Sequence, residues 1–196
     1  ETARRAGALL EGEGLDEEAF GAYREGEDWP AAVALVLRQA ATLAAQGRSR
    51  TLQDWIAALP ADRLASHPWL QYWFGVSLAV TDPASARRRF DEAFTLFRAF
   101  GDLKGAMRAA CSQIELIYFE WSNFRPLVPW IGEIESLIEA GAMFESETDE
   151  LRVNGSLLIA MLYAMPGHRK LASLCDRVEV LLDGGAELAQ KRVAAT

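Results

Sequence analysis

Two stretches of this sequence carry side chains suited to recognition chemistry: Trp69, Tyr72 and Trp73 in HPWLQYWFG, and Glu115, Tyr118, Glu120 and Trp121 in IELIYFEW. Aromatic faces with a polar tip stack on sugar rings or peptide side chains, and carboxylates accept their hydrogen bonds. In the second stretch the two glutamates sit in an otherwise apolar run from Ile114 to Trp121. A carboxylate buried there without a partner would be costly. Each therefore points to solvent, pairs with an arginine or meets a ligand. Neighbours such as Tyr72 and Trp73 lie about a quarter turn apart on a helix, so one of each pair faces the core and the other a neighbouring helix or a groove. These residues define the candidate ligand or partner groove.

The residues point away from catalysis. There is no GxxxxGK[ST] phosphate loop, and Gly12-Glu13-Gly14 is a lone GxG with no strand before it. His67 and His168 adjoin helix-start signals at Pro68 and Gly167, without partner ligands at metal spacing, and read as capping or surface residues. Cys111 and Cys175 lie in apolar helical stretches and read as buried, reduced thiols. No serine or cysteine stands in a nucleophile motif. Asp91-Glu92, Glu133 and Glu135 are expected on solvated faces, and Arg87-Arg88-Arg89 on a solvated face with ion pairs. No enzyme activity, cofactor or metal is expected.

Helices must position these residues. Apolar residues recur at i, i+3, i+4 and i+7 nearly throughout, and period-2 alternation is absent. Asp28-Trp29-Pro30 opens one helix, with Asp28 its N-cap, ending at Gly47. Another runs from Arg50 to Leu59. Ser66-His67-Pro68 starts a helix to about Val80, and Asp82-Pro83 one to Phe100, closed by Gly101. Leu103 to Trp121 is long and strongly apolar. Ser122-Asn123 caps the next, in which Pro129 lies deep enough to imply a late start or a kink. Glu145 to Met165 follows with a soft spot at Asn154-Gly155, then Arg169 to Leu182, a break at Gly184-Gly185 and a truncated last helix. The expected fold is all-α: roughly ten helices in antiparallel hairpins, stacked as a tetratricopeptide-like solenoid over a single domain, 1–196. Gly75, Ala86, Phe90 and Ala93 approximate that repeat's small and aromatic positions.

Composition sets the outer bounds. Of 196 residues 51% are hydrophobic and 24% charged, a globular balance. The net charge of −8 disfavours direct contact with nucleic acid. The N-terminal ETARRAGALLEGEG lacks the apolar core of a signal peptide, and no apolar run is long enough for a membrane span, so a cytoplasmic protein is expected. Both ends look cut, as in a piece of a larger protein.

Trp29 before an Ala/Leu-rich helix, Gly47-Arg48, Leu52 with Trp55, the Leu59-Pro60 stop and His67-Pro68-Trp69-Leu70 together form a recognisable pattern. From about Asp28 to Leu137 the chain resembles the helical-repeat region of bacterial ATP-dependent transcriptional regulators. These are the maltose-regulon activator type, with a LuxR-type DNA-binding end, and relatives with a bacterial transcriptional activator domain. The resemblance implies a sensor arm that binds an effector or a protein partner and controls self-association, so a homo-oligomer is an accompanying expectation. It transfers no ligand residue, because the matching positions are packing positions. A free-standing adaptor gripping a partner peptide is the alternative.

Overall fold

The computed structural model describes residues 2–144 and 146–194, with side chains for 3–144 and 146–184. These residues form eleven α-helices and no strand. Internal contacts divide the chain into two compact units, one up to Leu96 and one from Phe97.

The first unit holds α1 (Thr2–Gly12), α2 (Asp16–Glu25), α3 (Trp29–Ala45), α4 (Ser49–Ala57), α5 (Ala61–Ser66), α6 (Pro68–Leu78) and most of α7 (Pro83–Phe100). Its hairpins close on small residues set against large ones. A Cβ added at Gly7 of α1 would lie 2.5 Å from the Tyr23 ring of α2, and one at Gly75 of α6 would lie 2.7 Å from the Phe90 ring of α7. The ring can approach only because the backbone there carries no side chain. The second helix of each hairpin buries residues four and three apart: Ala19 and Tyr23; Leu52, Ile56 and Leu59; Ala86, Phe90 and Ala93. Ala19 and Leu52 are 33 residues apart, and Leu52 and Ala86 34. Phe20 stacks on Trp55 at 4.9 Å inside this core.

The second unit holds the end of α7, then α8 (Leu103–Glu120), α9 (Leu127–Glu139), α10 (Glu147–Ala164) and α11 (Leu171–Ala194). Helix starts are written in side chains. Asp102 accepts from the Gly105 N–H at 2.8 Å, and Ser146 from the Asp149 N–H at 3.1 Å, as Asp28 and Asp82 do in the first unit. Each satisfies a backbone donor that the first helical turn leaves open.

Several boundaries differ from expectation, each for a local reason. The helix before Pro60 stops there as expected, but Pro60 also opens an unexpected short helix, α5, which Ser66 closes by donating to the Asp62 carbonyl at 2.8 Å. Ser122-Asn123 does not cap α9. Asn123 instead accepts from the Arg125 N–H at 3.0 Å, and α9 starts at Leu127, which puts Pro129 in its first turn. Asn154-Gly155 does not interrupt α10, where Asn154 is buried. Gly184-Gly185 does not break the chain either, since α11 passes through both.

His67 joins α5 to α6, half-buried, with Nδ1 out of contact with any hydrogen-bonding partner. Desolvation holds its pKa below the ordinary 6.5. The folded state therefore takes up its proton less readily than the unfolded chain. The stabilising contribution is complete above about pH 6.5 and is lost as pH falls towards the depressed folded value. We expect the melting temperature to drop between pH 7.5 and 5.5, and the drop to be shallower in His67→Gln, as measured by thermal unfolding across that range.

Candidate functional site

Helix α8 is the most deeply embedded element of the second unit, with Ala106, Ala109, Ala110, Cys111, Ile114 and Ile117 all buried. It packs on both α9 and α10. Contacts to α10 climb both helices together: Arg108 faces Asp149, Glu115 faces Arg152 and Tyr118 faces Tyr163. The two helices therefore run in the same direction, and their seam carries most of the unit's chemistry.

At mid-seam Arg152 grips Glu115 with both prongs, Nε to Oε1 at 2.9 Å and a terminal nitrogen to Oε2 at 3.1 Å. The same terminal nitrogen donates to Ser112 Oγ at 3.1 Å. Glu115 is thus a paired structural carboxylate, which explains its place in an apolar helix. Such two-pronged geometry fixes the spacing of α8 and α10 as well as their charges.

At the C-terminal end of the seam the aromatics converge. Tyr118 lies 5.4 Å from Tyr163 and 5.3 Å from Trp121; Trp121 lies 5.2 Å from Tyr163 and 5.4 Å from Phe124; Phe124 lies 4.8 Å from Tyr163. Phe119 leans on Tyr118 at 5.7 Å. The edge-on and tilted arrangements are those that ring quadrupoles favour. Partial desolvation, then the hydrogen bond to Tyr118, pushes the Tyr163 phenol above its usual pKa of 10.

These rings face outward. Phe119 is 77% exposed, Trp121 58% and Tyr163 42%. Trp121 is also held at φ 47°, ψ 35°, the left-handed conformation that glycine usually supplies where a helix ends. For a bulky residue that conformation costs about 1–2 kcal/mol. The cost is met by the rings around it, and the result is a tryptophan fixed facing solvent. Glu120 lies exposed on the preceding turn.

The other sequence-derived stretch lies in the first unit and is built differently. Tyr72 is 3% exposed, set edge-on between Trp69 and Trp73 at 5.6 and 5.2 Å and tilted against Phe90. It is a core residue and offers no face to a ligand. Trp73 is partly buried against the same core.

Comparison with protein-family models, with curated proteins and with solved structures gives no match. The geometry of the seam therefore carries the functional reading.

The remaining polar candidates have local roles. Arg89 donates to Glu92 and Gln71 at 2.9 and 3.1 Å and lies 4.9 Å over the Phe74 ring. Glu135, expected on a solvated face, is largely enclosed and pairs with Lys170 at 2.8 Å. His168 accepts from the Lys170 N–H at 3.4 Å in the turn before α11. Cys111 is buried, and that burial pushes its thiol up to about 12, out of reach of thiolate chemistry at neutral pH. Cys175, expected to be buried, is exposed on α11. We expect a thiol reagent at pH 8 to modify one cysteine promptly, Cys175, and Cys111 only at the rate of unfolding, as read by mass spectrometry of the alkylated chain.

Proposed function

We propose that this chain is a non-catalytic interaction module, a tetratricopeptide-like helical-repeat arm of a bacterial transcriptional regulator. It passes a binding event to ATPase and DNA-binding parts of the same regulator. The repeat reading is supported by buried positions at spacings of 33 and 34 residues, Ala19, Leu52 and Ala86, against a tetratricopeptide period of about 34. It is supported further by glycine-on-ring packing in two separate hairpins. The regulator context rests on the resemblance over Asp28 to Leu137.

The partner surface is the aromatic group formed by Phe119, Trp121, Phe124 and Tyr163. The observation that carries this is Trp121, held exposed in a strained backbone conformation by Tyr118 of α8 and Tyr163 of α10. Contact energy in protein interfaces concentrates in rigid, pre-positioned tryptophans and tyrosines. An exposed aromatic patch of this kind otherwise brings only an aggregation risk. The occupant is a protein partner, because exposed, pre-positioned aromatic rings are what protein interfaces concentrate their contact energy in.

The test is photo-crosslinking in the native host, with a photoreactive phenylalanine analogue at position 119 and, as control, at the 93%-exposed Val80. A discrete protein adduct from 119 and none from 80 supports the assignment. Equal adducts from both, or none from 119, contradict it. The reading frame that encodes the chain is expected to carry a GKT-type loop or a DNA-reading domain.

A further inference from the structure

We draw no further inference here: the strongest candidate, the polar cleft that the first turn of α2 forms with Gln39, Thr42 and Gln46 of α3 and Trp55 of α4, rests on an acidic helix start whose Glu17 is already paired with Arg48, and no buried, unpartnered side chain among the described residues points into it.

Discussion

Gly105→Ala is expected to destabilise the second unit by about 2–4 kcal/mol, one of the largest effects any single methyl can have in this chain. A Cβ at Gly105 would fall 2.2 Å from the Phe97 ring, where no carbon can sit. Phe97 is itself fully buried, so the ring has no free space to retreat into. The backbone cannot yield cheaply either, because the Gly105 N–H is held by the Asp102 cap at 2.8 Å. Urea denaturation followed by circular dichroism measures the change. Trimming the ring should relieve it: Phe97→Leu alone costs stability by leaving a void, but the pair Phe97→Leu with Gly105→Ala should be more stable than the sum of the separate losses. Strict additivity would show that the two residues do not press on each other.

The second large effect separates function from stability. Trp121→Gly should leave the unfolding midpoint nearly unchanged while removing most of the partner affinity. Two opposed terms nearly cancel in the fold. The variant loses ring contacts with Tyr118, Phe124 and Tyr163, and gains relief from a φ of 47° that glycine adopts freely. Trp121→Ala lacks that relief, and should be the less stable of the two by about 1 kcal/mol. No such cancellation exists for binding, where loss of a central tryptophan costs about 2–4 kcal/mol, or thirtyfold and more. A tryptophan present only to finish α8 would give the reverse: a measurable stability loss and no change in affinity.

Much of the architecture was legible in the residues, because helix boundaries in this chain are written locally. Asp28 caps α3 and Asp82 opens α7 as their positions suggest, and Gly47 and Gly101 carry the positive φ that closes α3 and α7. The failures were also local competitions. Pro60, a stop signal for one helix, serves equally as the start of the next. Gly184 and Gly185 lower helix propensity by about 1 kcal/mol each, which is too little to end α11. The spacing expected of a helical hairpin stood out in the sequence only at Ala86, Phe90 and Ala93. Ala19 matches Ala86 in type but Leu52 does not, and only the shared burial of the three makes the spacing visible.

The candidate site was legible in part. Tyr118 and Trp121 were flagged by charge and aromaticity crowded into one apolar run. Glu115 was flagged for the same reason, yet its partner Arg152 lies on another helix, and a single sequence does not announce that pairing. Tyr163 lies 45 residues beyond Tyr118. Its only local mark is an aromatic at the end of an apolar helix, just before Pro166. Tyr72 was misplaced because adjacent aromatics on a helix look equivalent until the helix is docked, and docking turned Tyr72 inward.

The measurement that bears most directly on the interaction reading is the dissociation constant of the purified partner, once identified by its adduct at position 119, for the native chain and for Trp121→Gly. The two chains must first be shown to unfold at the same denaturant concentration. Binding weaker by about thirtyfold or more in the variant is the predicted result. Affinities that agree within about twofold, which is less than 0.5 kcal/mol, would contradict it.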